Sequence, residues 1–149
     1  MIRSLLAGFV MIAFTAPLLA QEQAKKDLEA MQGVWMPRKM ISGEAEVPKE
    51  IRDAFRVTFD GDKLWIKDPK DAALIKLDTS KMPYHLNVSG PKTPGGTDFE
   101  LYEGIYKFDK GVLFICVNNP GQGRPTEFEA KKGGLFLMEL EKAPAKDKK

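Results

Sequence analysis

The chain holds one histidine, His85, and one cysteine, Cys116. With Ser42, Ser80, Ser89 and a scatter of carboxylates, these are the residues from which acid-base or nucleophilic catalysis could be assembled. A Ser-His-Asp triad needs one of those serines to converge on His85, and none sits in the Gly-x-Ser-x-Gly elbow that presents such a nucleophile. His85 alternates with Tyr84, Leu86 and Val88, which places it on a polar strand face with Asn87 and Ser89. Asp60 and Asp62 flank Gly61, where a turn uses them. Glu100 and Glu103 point to opposite faces of an extended chain, because their spacing is odd. Glycoside hydrolysis needs two carboxyls within about 5 to 10 Å, and no such pair is marked. Asp60, Asp62 and Asp68 lack calcium-loop spacing, and a single His with a single Cys excludes multi-histidine sites and zinc clusters. The expectation is a non-enzyme without metal or cofactor.

Cys116 lies in the apolar run Val112 to Val117 with no Lys, Arg or His beside it, so it reads as a small buried hydrophobe rather than a reactive thiol. The most polar, Gly-rich loop is Asn118-Asn119-Pro120-Gly121-Gln122-Gly123-Arg124-Pro125. It is no phosphate cradle, since neither a helix N-terminus nor a P-loop lysine follows it. As a rim of hydrogen-bond donors it is a candidate ligand-contact loop, and so is Gly90 to Asp98, against the plainer reading of both as turns.

These residues must be held by a single ordinary domain. In 149 residues, 23 basic against 21 acidic side chains give a net charge of +2. No basic surplus exists for nucleic acid or anionic lipid. The first twenty residues have Arg3 as their only charge, an apolar run from Leu5 to Phe14 and small residues ending at Ala20. That pattern is a secretory signal peptide, with cleavage expected after Ala20 and a secreted or periplasmic product. The apolar run is too short for a bilayer core of roughly twenty residues, so no stable membrane insertion is expected after cleavage. Residues 143–149, rich in Lys, read as a frayed, solvated tail.

Gln21 to Met31 has helical character, with Ala24, Leu28 and Met31 on one face and Gly33 as the stop. Beyond it, Gly, Pro, Asn and Asp punctuate nine apolar or alternating runs: Val34 to Ile41, Ala54 to Asp60, Lys63 to Asp68, Ala72 to Asp78, Tyr84 to Ser89, Phe99 to Phe108, Val112 to Asn118, Thr126 to Ala130 and Leu135 to Glu141. This is the cadence of an all-β antiparallel meander. A two-residue turn on Asp60-Gly61 would set Arg56 opposite Trp65; one on Gly61-Asp62 would oppose the like charges of Arg56 and Lys67, so the first register is preferred. Further hairpins are expected at Asp109-Lys110-Gly111 and Gly133-Gly134, and a helical turn at Pro48 to Asp53. Pro37 requires an edge or bulged first strand.

Residues Asp27 to Lys142 resemble a small secreted domain family, abundant in planctomycete bacteria, that is lipocalin-like and of unknown function. The resemblance is carried by Leu28, Gln32-Gly33-x-Trp35, Phe59-x-Gly61-Asp62-Lys63-Leu64, Asp78-x-Ser80-Lys81-x-Pro83-x-x-Leu86, Gly104-Ile105-Tyr106, Leu113-x-Ile115-Cys116 and Arg124-Pro125-Thr126-x-Phe128. Asn87 departs from it, standing where the pattern usually has Asp. The resemblance implies a small up-and-down barrel of eight or nine strands, with Trp35 closing one end and Arg124 over its ring in a cation-π contact. Trp35, Arg124, Tyr106, Asn118 and Asn119 are the candidate ligand-binding residues.

Two functional classes follow besides an enzyme. One is a barrel holding a small hydrophobic ligand. The inward set, among it Phe55, Val57, Phe59, Leu64, Ile66, Ile75, Leu86, Val88, Ile115, Val117 and Phe128, is bulky enough to fill such a barrel. The other is an envelope interaction module with a packed interior, because Val112, Phe114, Cys116, Phe136, Met138 and Leu140 add apolar side chains opposite an already apolar face. The N-terminal helix is the expected cover for that second dry face.

Overall fold

The computed structural model describes residues 16–93 and 95–144. The expected apolar run Leu5 to Phe14 and the end of the basic tail lie outside the described residues. The elements are α1 (Ala16–Met31), β1 (Gly33–Ser42), β2 (Ala45–Glu46), α2 (Lys49–Arg52), β3 (Val57–Asp60), β4 (Lys63–Trp65), β5 (Ala73–Asp78), β6 (Tyr84–Pro91), β7 (Phe99–Asp109), β8 (Val112–Asn118) and β9 (Gly134–Lys142). Strand order is β2-β1-β3-β4-β5-β6-β7-β8-β9, and β1 also pairs with β9. The result is a closed antiparallel barrel of eight strands, with β2 added beside the end of β1. Closure removes the sheet edges that an open meander of this length would expose.

Closure depends on β1 serving two partners. Its first residues pair with β3, from Gly33 opposite Phe59 to Trp35 opposite Val57, while Trp35 to Ser42 run along β9. Pro37 cannot donate to a ladder, and the β1–β9 register shifts between Pro37 and Lys39. The bulged strand expected from Pro37 is therefore present, although β1 closes the barrel rather than edging it. Arg38, the extra residue, reaches back to Glu139 at 2.9 Å.

The first hairpin corrects the expected register. Thr58 faces Trp65 and Asp60 faces Lys63, so the two turn residues are Gly61 and Asp62. The like-charge opposition of Arg56 and Lys67 does not arise because the ladder ends at Trp65. Gly61, at φ +59°, sits at the first central position, as a type II′ turn requires. Gln32 fixes it there, donating to the Gly61 carbonyl at 3.0 Å and accepting from its amide at 2.7 Å. The Lys110-Gly111 turn has positive φ at both positions, 49° and 79°, the demand of type I′.

Eight of the nine expected strands form. Thr126 to Ala130 does not: residues 119–133 instead make a strap over the outside of the barrel, turned by Gly121 and Gly123 with φ of 82° and 75°. This strap, not the helix, covers the second dry face. Phe128, expected inside, packs edge-on against Phe114 on the outer wall with centroids 6.5 Å apart. Cys116 Sγ lies 3.8 Å from the Glu129 carbonyl, buried and free as expected. Phe136, Met138 and Leu140 face inward, level with Val117, Ile115 and Leu113.

α1 starts earlier than Gln21 and caps one end of the barrel. Met31 is fully buried, and Leu28 packs on the core. Trp35 closes that end as expected, 2% exposed, its indole donating to the Met31 carbonyl at 2.6 Å and its ring 6.3 Å from Phe108.

Candidate functional site

The barrel interior is tapered. At the capped end, Met31, Trp35, Tyr106, Phe108, Leu113 and Leu140 fill the cross-section. Toward the other end, the inward positions of β5 and β6 end on Ala73 and Gly90, with Tyr102 beside them on β7. A side chain on Gly90 would touch Ala73 and Tyr102 at 3.6 Å, so the two small residues leave space that larger ones would occupy. That end opens into a cavity of about 500 Å³. Its walls are Phe55, Val57, Phe59, Leu64 and Ile66 on one side, and Ile75, Leu86, Val88, Ile115, Val117, Phe136 and Met138 around the rest. Most of the bulky inward set expected from period-two hydrophobicity thus lines a hollow instead of filling it.

Trp65, Lys67, Asp71 and Tyr102 are the bordering residues that carry polar side-chain atoms. Asp71 accepts the Gly95 amide at 2.9 Å, which ties the β4–β5 connection to the β6–β7 loop and forms part of the rim. Tyr102 points its hydroxyl toward Glu100 at 3.4 Å; burial first, and then that carboxylate, raise its pKa. Glu103, on the opposite face as its odd spacing requires, contacts Arg124 on the outer wall.

None of the five expected ligand-binding residues lines this cavity, and each has at least one polar side-chain atom hydrogen-bonded within the protein. Trp35 and Tyr106 lie at the capped end, where the Tyr106 hydroxyl donates to Asp27 at 2.8 Å. Arg124 is not over Trp35. The cation there is Lys142, 5.3 Å from the ring centroid. Arg124 instead clamps the strap to the outer wall, donating to the Gly104 carbonyl and the Asn87 side chain at 2.7 Å each, to Glu103 at 3.2 Å and to the Leu86 carbonyl at 3.4 Å. Asn87 supplies its side-chain oxygen to that clamp. Asn118 and Asn119 brace the strap by donating to the carbonyls of Gly123 and Gly133 at 3.0 and 3.1 Å. Of the two expected contact loops, Gly90 to Asp98 reaches the cavity through Gly90 and Pro91, whereas Asn118 to Pro125 does not.

His85 stands opposite Asp78 on β5 and near Arg124. Burial, followed by the Arg124 charge, lowers its pKa. Asp78 is held ionised by hydrogen bonds from the Ser80 hydroxyl and amide, so Ser80 is turned to that carboxylate rather than to the imidazole. Among the described residues no group of three His, Cys, Asp or Glu side chains could hold a metal ion, and no helix is long and apolar enough to cross a membrane.

The bordering residues missed in the sequence are Trp65, Lys67, Asp71, Ala73 and Tyr102. The available signal was size: at inward positions of successive strands, small residues at one end face large ones at the other. Comparisons with protein-family models, curated proteins and solved structures find no match for this chain.

Proposed function

We propose that this protein is a non-enzymatic, lipocalin-like carrier, exported to a secreted or periplasmic location, that holds a small hydrophobic molecule inside its barrel. The observation that carries this reading is the cavity of about 500 Å³ bordered mainly by apolar residues. Its size falls within the range of ligand sites, roughly 300 to 1,000 Å³, and a hollow of this kind costs dispersion energy when nothing occupies it. A packed interaction module would have no reason to place Ala73 and Gly90 where larger side chains would add stability.

Export draws support from the start of the chain. Leu18 and Leu19, on the part of α1 that cleavage after Ala20 would remove, are 67% and 64% exposed, whereas Asp27, Leu28 and Met31 beyond the cut make the cap. Mass measurement of the product from its native host should give a chain beginning at Gln21.

Native mass spectrometry of protein recovered without detergent tests the carrier reading, together with uptake of a neutral naphthylamine fluorophore by the delipidated protein. A bound mass, or saturable uptake near one per chain, is expected. A folded protein that shows neither refutes the reading.

A further inference from the structure

We infer that the outer wall beside the cavity mouth seats on a bilayer surface, so that a bound molecule passes between membrane and barrel without crossing bulk water; the choice of a bilayer rests on the carrier reading above. Leu74, Phe99 and Leu101 are 47%, 52% and 50% exposed. Ser89 pairs with both Leu74 and Leu101, and Pro91 pairs with Phe99, so the three side chains form one outward patch on β5 and β7, bridged by β6. The other large apolar side chains exposed beyond the expected cut, Val34, Ile51 and Met82, stand apart on β1, on α2 and before β6. Pro91 joins the patch to the mouth, because it also borders the cavity.

Area and charge favour a lipid surface over a protein partner or a second copy. Three half-exposed side chains offer about 300 Å², well short of the roughly 800 Å² that each partner gives to a standard protein interface. Interfacial binding to a bilayer asks for less, since it grows with whatever apolar area is immersed. Around the patch Lys63, Lys76 and Lys92 are matched by Asp60, Asp98 and Glu100, and Glu103 is paired with Arg124 at 3.2 Å, so no net charge steers a charged partner here. Trp65, half-buried on the outward face that carries Lys63, adds an amphipathic ring of the kind that settles at headgroup depth. The contact is peripheral, driven by apolar side chains and indifferent to headgroup charge.

The test is flotation of the delipidated protein, recovered from its native host, with vesicles of phosphatidylcholine alone and of equal parts phosphatidylcholine and phosphatidylglycerol. Both should carry the protein, with little effect of salt, and the emission of Trp65 should move to shorter wavelength while Trp35 stays buried at the other end. Phe99→Ser combined with Leu101→Ser should cut vesicle binding at least about tenfold. Melting temperature and uptake of the naphthylamine fluorophore from solution should stay close to the parent's, because neither side chain borders the cavity. Folded parent protein that stays off both vesicles, binds only the anionic ones, or binds as well after the double substitution overturns the docking face and leaves the carrier reading intact. Light scattering that finds a dimer of the parent and a monomer of the variant assigns the patch to a second copy and overturns it too. Absence of fluorophore uptake by the folded parent overturns the carrier reading whatever the vesicles show.

Discussion

The Tyr106 hydroxyl donates to the Asp27 carboxylate across 2.8 Å, joining the barrel wall to the helix that caps it. Both groups are buried, and Gln23 gives Asp27 its second hydrogen bond at 2.8 Å. Burial, and next the hydrogen bond to Asp27, push the phenol's pKa above its ordinary value of 10.0. A raised folded pKa means that the unfolded chain loses this proton first. The contribution of Tyr106 is therefore complete below about pH 10 and is lost as the pH rises toward the folded value. Tyr106→Phe should cost about 2 kcal/mol at neutral pH in urea unfolding and should flatten the alkaline loss of stability. An alkaline limb unchanged in the variant would contradict this assignment.

Arg124 predicts the behaviour of Cys116. Its side chain is 19% exposed and holds the strap against β6 and β7, and the strap buries the thiol. Arg124→Met should lower stability by about 2 kcal/mol and speed modification of Cys116 by an aromatic disulfide at least about tenfold in native conditions. Labelling no faster than in the parent protein would mean the strap stays down without its clamp.

His85 gives the opposite pH dependence from Tyr106. Its imidazole is held below the usual 6.5 by burial and Arg124, with Lys81 adding to that effect and Asp78 and Glu103 opposing it. A depressed folded pKa means the unfolded state binds the proton first, so stability is complete above about pH 6.5 and falls as acid is added. His85→Gln should remove part of that acid limb in urea midpoints measured from pH 7.5 downward.

Gly104 is a packing constraint rather than a hinge. A Cβ there would stand 2.7 Å from the Cys116 carbonyl and 2.9 Å from a Val117 methyl. Gly104→Ala should destabilise by about 3 kcal/mol, and the strap should loosen with it because the Gly104 carbonyl receives Arg124. Calorimetric melting and Cys116 labelling read the two effects separately.

Ala73→Phe should occupy the cavity. The added ring has space, so thermal stability should be held or raised, while uptake of the naphthylamine fluorophore should weaken at least about tenfold. Unchanged uptake would place the fluorophore elsewhere on the protein.

Period-two alternation in stretches such as Phe55 to Phe59 and Leu86 to Val88 was enough to read the all-β class, most strand positions and the inward set apart from Phe128. Trp35 at the capped end was legible because Gly33 stops the helix just before it. What alternation cannot express is cross-section. It marks Ala73 and Phe59 alike as inward, and only their assembly around one axis makes the barrel narrow at Trp35 and hollow at Gly90. Arg124 misled for a related reason. A loop arginine's partners are set by where the strap lands, which here places Phe128 on Phe114 of the outer wall. The Gly61 turn was misplaced because its anchor, Gln32, is distant in sequence.

The closing of β1 against β9 brings Ala143 to the start of β1, where its amide donates to the Val34 carbonyl at 2.8 Å, beside the Lys142 contact with Trp35. The described end of the chain therefore leaves the molecule at the stoppered pole, opposite the aperture. Protein immobilised through its C-terminus, on a sensor chip or a bead, should present an unobstructed opening to the surrounding solution. The same polarity keeps the aperture and the support on opposite sides of the barrel.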